Sequence, residues 1–243
     1  MGSDLFAIAV AVVAGAIAAV TGFGIGSLLT PVLALQVDTR LAVAAVSIPH
    51  VIATALRFWL LKGGVDRNVF WNFGLTSAAG GLTGALLHGW ASERWLTMVF
   101  GAVLLCAAGT ELTGLARRVR FHGSVAWIAG AVSGLLGGLV GNQGGIRSAA
   151  LLGFNLSKET FVATATAVAL LVDGARMPVY LVTQYDDIVS LWRWVALATV
   201  GVTAGTVLGS RVLSRIPEFG FRLVLAIVLA TLGAAMLFRG MQS

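Results

Sequence analysis

The sequence predicts an all-α polytopic membrane protein built from two inverted repeats, each a broken or re-entrant helix pair followed by three transmembrane helices. The first observation behind this prediction is a strongly apolar composition. The second is a set of eight apolar segments, of which the first and the fifth are interrupted by glycine clusters. The third is that several sequence features recur at a nearly constant offset, as expected for a duplicated fold.

The composition places the chain in a lipid environment. The protein has 243 residues, of which 58% are hydrophobic and 11% charged, and its mean hydropathy is +0.94. A soluble domain of this length needs a polar outer surface, so the bilayer is the predicted solvent. The net charge of +6 comes from basic residues scattered singly between apolar runs, which indicates membrane orientation rather than nucleic-acid binding. Cys106 is the only cysteine, so an intrachain disulfide is excluded.

Most of the apolar segments are about 20 residues long, the length that crosses ~30 Å of hydrocarbon. The segments lie at 4–20 with 22–35, 41–61, 69–90, 95–115, 124–140 with 144–153, 159–182, 190–210 and 221–238. One continuous helix over 4–35 would be about 48 Å long, so this segment is either strongly tilted or a re-entrant hairpin. The same choice applies to the fifth segment. No basic residue precedes Arg40, so we expect the first segment to remain in the mature protein rather than act as a signal peptide.

The distribution of basic residues favours the hairpins. With two hairpins, nine basic residues lie on one side of the membrane: Lys62, Arg67, Arg117, Arg118, Arg120, Lys158, Arg211, Arg215 and Arg222. Four lie on the other side: Arg40, Arg94, Arg193 and Arg239. With two full crossings the counts would be six and seven, which carries no orientation signal. We therefore expect a multi-pass protein of the cell inner (plasma) membrane, with the more basic side in the cytoplasm and both termini outside.

Two halves of the chain share features at an offset of 118 to 121 residues. The matching features are Gly80-x-x-x-Gly84 with Gly201-x-x-x-Gly205, Thr39-Arg40 with Ser157-Lys158, and Arg57 with Arg176. We divide the chain into a first transmembrane repeat (1–116), a cytoplasmic linker (117–123) and a second transmembrane repeat (124–243). The four glycines are typical of close helix packing, either within one chain or between chains, so the oligomeric state stays open.

The two glycine clusters form the candidate functional site. A hairpin tip inside a membrane exposes N–H groups that no water satisfies, so it must be buried in protein or line a cavity. The start of each returning half-helix also directs its positive dipole end toward the middle of the membrane, which favours an anion. The alternative is that these glycines only permit close helix packing. The candidate substrate-binding residues at the tips are Gly22, Gly24, Gly26, Ser27, Asn142, Gln143, Gly144 and Gly145.

Charged residues within the apolar segments extend the candidate site. Arg147 lies one turn into the second half-helix, where either a bound anion or Asp173 would stabilise its guanidinium. Arg57 and Arg176 either contribute to substrate binding or have local roles, Arg57 by snorkelling to the interface and Arg176 by pairing with Asp173. Asp173 is also the candidate coupling residue, because it is the only deep acidic group. His50 is expected to pack and to form hydrogen bonds.

The first glycine cluster resembles the signature of a known family. Residues 21–33 read TGFGIGSLLTPVL, a glycine cluster followed by Pro-x-Leu, which is similar to the motif of the sulfite exporter TauE/SafE family of membrane permeases. The second cluster, GNQGGIR at residues 141–147, is shorter and lacks the proline. The length and the duplicated layout also match, so the resemblance spans nearly the whole chain. It implies transport of a small sulfur-containing anion, such as sulfite, sulfoacetate or another organosulfonate, usually outward from the cytoplasm.

We therefore predict a secondary transporter, working as an exporter, that moves a small anion by alternating access around a site at the middle of the membrane. A passive anion channel is the alternative, because it uses the same helix ends. A non-transporting assembly subunit is a further alternative, but such a protein has no need of broken helices.

The expected partners are the anionic substrate and the lipid bilayer, without nucleic acid. An enzyme is not expected, since the sequence lacks His-Glu-x-x-His and Gly-x-Ser-x-Gly motifs. No cofactor and no metal are expected. The sequence also has no Walker motif, so the expected driving force is the membrane potential or a gradient of protons or another ion.

Overall fold

A computed structural model describes residues 2–21, 24–115, 123–142, 144–213 and 218–242 of the chain. Within these residues it contains α-helices and no β-strand, which confirms the predicted all-α fold. The helices of the first half are α1 (Gly2–Thr21), α2 (Ile25–Ala34), α3 (Thr39–Leu61), α4 (Arg67–Trp90) and α5 (Glu93–Thr113). Those of the second half are α6 (Ser124–Val140), α7 (Gly144–Leu152), α8 (Lys158–Thr183), α9 (Tyr185–Ser190), α10 (Trp192–Leu213) and α11 (Glu218–Gln242). The predicted linker at 117–123 lies outside the described residues except for Gly123.

Polar side chains set several helix starts. Helix α8 begins after Ser157, whose hydroxyl accepts a hydrogen bond from the N–H of Thr160 at 3.2 Å. Helix α4 begins after Asp66, whose carboxylate accepts from the N–H of Val69 at 2.9 Å. Such caps satisfy N–H groups that have no partner within the helix, so each start is fixed by local sequence. The predicted entry at Ser157-Lys158 is confirmed.

Within the described residues, four helical stretches are both long enough and apolar enough to cross a membrane: Thr39–Gly64, Glu93–Thr113, Glu159–Thr183 and Arg222–Gln242. Helices α4 and α10 have 24 and 22 residues, enough to span, but they are not among these stretches. Apolar helices of 10–17 residues are also present at Leu5–Ala19, Ile25–Ala34 and Ser124–Val140. These helices confirm a multi-pass membrane protein.

The first apolar segment is broken and the chain reverses at the break. Helix α1 ends at Thr21 and α2 begins at Ile25, after Gly24 with a φ of 138°. A Cβ built on Gly24 would lie 2.9 Å from the Ile17 side chain, so the chain has already turned back onto α1. Residues of α2 and α1 also line one apolar groove of about 360 Å³: Phe6, Ala9, Val10, Val13, Ile17, Leu28 and Val32 line it together with α11. Helix α2 therefore returns along α1.

The second break has the same form. Helix α6 ends at Val140, Gly141 has a φ of 73°, and α7 begins at Gly144. The ring of Phe73 lies against Gly130 of α6, and its centroid is 6.1 Å from that of Phe154, just beyond α7. The middle of α6 and the residues just beyond α7 thus contact the same phenylalanine, so α7 folds back along α6. The prediction of a broken helix pair in each half is confirmed, while their placement in the bilayer stays a prediction.

The element boundaries strengthen the evidence for a duplication. The ends of α1 and α6, the starts of α2 and α7, and the starts of α3 and α8 each differ by 119 residues. The starts of α4 and α10, and of α5 and α11, each differ by 125 residues. The increase equals the length of the six-residue helix α9, which follows α8 in the second half. One insertion therefore explains the change in offset, and the inverted relation of the halves remains a prediction. With the 125-residue offset, Gly80 and Gly84 correspond to Gly205 and Gly209, so the predicted match of this pair with Gly201 and Gly205 is wrong by one helical turn.

The predicted glycine packing joins the two halves within one chain. Helix α4 packs on α6, where a Cβ on Gly80 or Gly84 would overlap backbone carbonyl oxygens of α6. Helix α10 packs on α1, where Gly205 meets the Val12 carbonyl and Gly201 lies against Ala11. Only glycine permits such close backbone approach. Helices α3 and α8 also contact each other, as do α5 and α11, so each contact pairs one half with the other.

Candidate functional site

The two helix breaks contact each other. A Cβ built on Gly26, in the first turn of α2, would overlap the carbonyl oxygen of Gly141 and lie 3.2 Å from its carbonyl carbon. Gly141 in turn lies close to Thr30, whose hydroxyl would be 3.6 Å from a Cβ placed on that glycine. The start of α2 therefore rests on the end of α6. The structure thus brings together the two clusters that the sequence singled out.

The first turn of α2 presents N–H groups at this contact. Residues 25–27 are buried, and the first hydrogen bond inside the helix runs from the N–H of Leu28 to the carbonyl of Gly24 at 3.0 Å. The N–H groups that precede it have no acceptor within the helix, and they carry the positive end of its dipole. Helix α7 begins at Gly144, two residues beyond the buried Asn142, and adds a second such start. A helix start of this kind is suited to bind negative charge.

Polar groups at the breaks have unused hydrogen-bonding capacity. Asn142 is 6% exposed, and its side-chain Nδ2 has no hydrogen-bond partner within the described residues. The same holds for the hydroxyl of the buried Thr30, next to Gly141. A buried polar group without a partner is costly, so its presence in a native structure points to a ligand or a water. Asn142 was a predicted site residue, whereas Thr30 was not.

Arg147 is buried in α7, one turn after the second break, and is 2% exposed. The charges that act on it are those of Arg57, Asp173 and Arg176. The sequence placed these four residues on three different apolar segments. The structure brings them into one buried cluster beside the helix breaks.

Arg176 bridges Asp173 and the end of α6. Its guanidinium contacts the Asp173 carboxylate at 2.7 and 2.9 Å, which confirms the predicted local ion pair. It also donates to the carbonyl of Gly137 at 2.6 Å. Gly137 lies in the last turn of α6, and its carbonyl also accepts a hydrogen bond from the N–H of Gly141 at 3.0 Å. Arg176 therefore supports the break, in addition to any contact with a substrate.

Two further side chains complete the end of α6, and sequence reasoning missed both roles. The hydroxyl of Tyr180 donates to the carbonyl of residue 138, and Nδ1 of His88 lies 2.7 Å from the carbonyl oxygen of residue 139. Three consecutive carbonyls are thus bound by side chains from α8 and α4. Tyr180 follows Arg176 by four residues and so shares its helix face, which was the available signal. Nothing in the sequence pointed to His88.

Arg57 has the equivalent role in the first half. It is 8% exposed, so it does not snorkel to the interface. It donates to the carbonyl of Ala18 and, through Nε, to the Thr166 hydroxyl at 2.9 Å. Ala18 lies three residues before the end of α1, just as Gly137 lies three before the end of α6. Each half therefore uses one arginine to hold the end of its broken helix.

Asp173 is fully buried and has a second partner, His50 of α3, whose Nδ1 lies 2.7 Å from Oδ2. The expectation that His50 forms a hydrogen bond is confirmed. With the 119-residue offset, the position equivalent to Asp173 is Thr54, so the carboxylate is present in one half only. The cluster is therefore asymmetric although the helices around it are duplicated.

The remaining predicted site residues belong to the two glycine clusters. Gly22 and Gln143 lie outside the described residues. Gly24 and Ser27 lie at the first break, and Gly144 and Gly145 open helix α7. Within the described residues, no group of three or more His, Cys, Asp or Glu side chains could hold a metal ion.

The model of a protein family described as Sulfite exporter TauE/SafE matches residues 7–236, which is nearly the whole chain. No curated protein and no solved structure gives a significant match. The family match includes both helix breaks and all the charged residues of the buried cluster.

Proposed function

The chain belongs to the sulfite exporter TauE/SafE family, and on that premise we propose a secondary transporter that exports a small sulfur-containing anion by alternating access. The substrate class is sulfite, sulfoacetate or another organosulfonate. The substrate would lie between the two helix breaks, bound by the N–H groups at the starts of α2 and α7. The substrate would also be bound directly by the side chains of Asn142, Gln143 and Arg147.

The observation that carries this proposal is the contact between Gly26 and Gly141, next to the unpartnered amide of Asn142. It supports a shared pocket at which two helix starts and a buried donor converge. An anion supplies acceptors to all these groups at once. Because α2 and α6 belong to different halves, a movement of one half against the other would change the shape of this site, as alternating access requires.

The guanidinium groups of the arginines are suited to hydrogen-bond a sulfonate or sulfite group. A guanidinium offers parallel N–H donors that match two oxygens of a tetrahedral or pyramidal anion. Arg147 is proposed as the direct ligand. Arg57 and Arg176 are proposed to act from the rim of the site, since their hydrogen bonds tie them to the ends of α1 and α6. The proposed driving force is the membrane potential or a proton gradient, with Asp173 as the acidic group for the latter.

Uptake into proteoliposomes tests the transport function. With purified protein, uptake of radiolabelled sulfoacetate should saturate with concentration and should be stimulated by unlabelled sulfoacetate inside the vesicles. Protein-free vesicles and vesicles with the Arg147→Ala variant are the controls. Linear flux accompanied by single-channel currents would identify a passive channel instead. No flux of any sulfonate or of sulfite above the controls would reject the substrate class.

The proposed orientation places the protein in the plasma membrane with the 117–123 linker in the cytoplasm and both termini outside. The nine-to-four asymmetry of basic residues supports it. A reporter fused after Arg120 should therefore report the cytoplasm, and one fused after Gln242 the outside. Finding the two chain termini on opposite faces of the membrane would contradict a hairpin in each half.

A further inference from the structure

We propose that the carried species is a doubly charged anion, and that the buried arginine cluster sets this preference. The cluster consists of Arg57, Arg147, Arg176 and Asp173. This inference rests on the proposed transport function and specifies the charge of its substrate. It follows from the number of charges that the fold encloses and from the partners that these charges already have.

The cluster contains more positive than negative charge. All three arginines of the cluster are buried. The charged groups that act electrostatically on Arg147 are the carboxylate of Asp173 and the guanidinium groups of Arg57 and Arg176. Three guanidinium groups against one carboxylate leave an excess of two positive charges when the imidazole of His50 is neutral. The other nine of the ten acidic residues lie in terminal turns or caps of the helices, or in the short α9: Asp4, Asp38, Asp66, Glu93, Glu111, Glu159, Asp186, Asp187 and Glu218.

The hydrogen bonds of Asp173 and Arg57 do not remove this excess. Both oxygens of Asp173 are engaged, one by Arg176 and the other by His50. Arg57 donates to neutral acceptors, the carbonyl of Ala18 and the hydroxyl of Thr166. Its charge is therefore solvated by dipoles and is not neutralised by a carboxylate.

Net charge inside a membrane protein is costly unless an opposite charge compensates it. A dianion between the helix breaks would bring the charge of the cluster and substrate to zero, whereas a monoanion would leave one positive charge. Because Arg57 and Arg176 are held at the ends of α1 and α6, they act through their electric field rather than by rearranging around the substrate. The arginine cluster therefore selects the substrate by its charge. The N–H groups at the starts of α2 and α7, together with Arg147, select it by its shape.

The proposal predicts strongly electrogenic export. A carrier that moves one net charge gains a tenfold gradient for about 60 mV of membrane potential, and one that moves two net charges needs only about 30 mV. A negative cell interior would then drive a dianion outward without any second ion. Sulfoacetate is a suitable probe because its sulfonate and carboxylate are both ionised at neutral pH.

The charge is measured from the equilibrium gradient of sulfoacetate. Proteoliposomes with the wild-type protein are clamped at a series of potentials with potassium and valinomycin, and the accumulation ratio is measured at each potential. We expect tenfold per about 30 mV. A slope of tenfold per about 60 mV would overturn the proposal that two net charges cross without a second ion, since one net charge would then move, as in cotransport with a proton. Absence of uptake of any anion would instead reject the transport function itself.

The source of the preference is tested with Arg57. Wild-type uptake should favour sulfoacetate over isethionate, a singly charged sulfonate of similar size. In Arg57→Gln, which keeps a donor for the Ala18 carbonyl, this preference should fall by about tenfold or more. Arg57→Lys keeps the charge and should keep the preference. If a monodisperse Arg57→Gln protein kept the full preference for sulfoacetate over isethionate, the proposed role of the cluster would be wrong. If that variant did not fold, the dependence of sulfoacetate accumulation on membrane potential, measured with the wild type, would still test the proposal.

Discussion

Replacing Arg147 by alanine is expected to abolish detectable anion binding while leaving the fold largely intact. Arg147 is buried in the first turns of α7, beside the contact between the two helix breaks. Losing a buried, charge-assisted contact costs about 2–5 kcal/mol, which corresponds to roughly thirtyfold or more in affinity. The fold should tolerate the change, because removing one positive charge from a cluster with excess positive charge relieves electrostatic repulsion.

The measurement for Arg147→Ala is the thermal shift produced by sulfoacetate or sulfite, together with the dissociation constant by calorimetry. Arg94→Ala is the matched control, since Arg94 is an exposed arginine near the start of α5. The control should bind like the wild type. A variant at position 147 with unchanged affinity would show that the anion binds elsewhere.

Replacing Gly26 by alanine is expected to separate the two helix breaks and to abolish transport. A Cβ at this position would overlap the backbone oxygen of Gly141, which cannot move without displacing the end of α6. That end is held by Arg176, Tyr180 and His88, so the displacement would disturb several hydrogen bonds. Overpacking of this kind costs about 1–3 kcal/mol of stability.

Thermal unfolding in detergent and uptake of sulfoacetate measure the effect of Gly26→Ala. Gly109→Ala is the matched control, because Gly109 lies in helix α5 and a Cβ there would meet nothing within 4 Å. The control should be as stable as the wild type or slightly more so, since alanine favours helix. If the two variants behaved alike, the contact between the breaks would not be required for transport.

Features that depend on composition and spacing could be predicted from the sequence. The two helix breaks could be predicted because each glycine cluster interrupts an apolar segment that is too long to form a single transmembrane helix. The close helix pairs follow from Gly80, Gly84, Gly201 and Gly205, because small residues at four-residue spacing leave a smooth helix face. The correspondence of Arg57 and Arg176 was visible because both follow the duplication.

The partners of the buried charges could not be predicted, because they depend on tertiary packing. Arg57 lies close enough to the end of its helix to suggest snorkelling, yet it donates to the end of α1 and to Thr166 of α8. His88 lies in the last turn of a glycine-rich helix, and only the close α4–α6 packing brings it to the carbonyl of Leu139. Such contacts join residues from separate segments and leave no periodic trace in the sequence.

The cross-half packing also has a consequence for how the protein is made. Gly15 of α1 lies against Val202 of α10, so the small-residue face of α1 is covered by a helix that is synthesised nearly 200 residues later. During translation this face must be shielded by lipid or by the insertion machinery. This contact can therefore form only after α10 has been synthesised and has packed against α1.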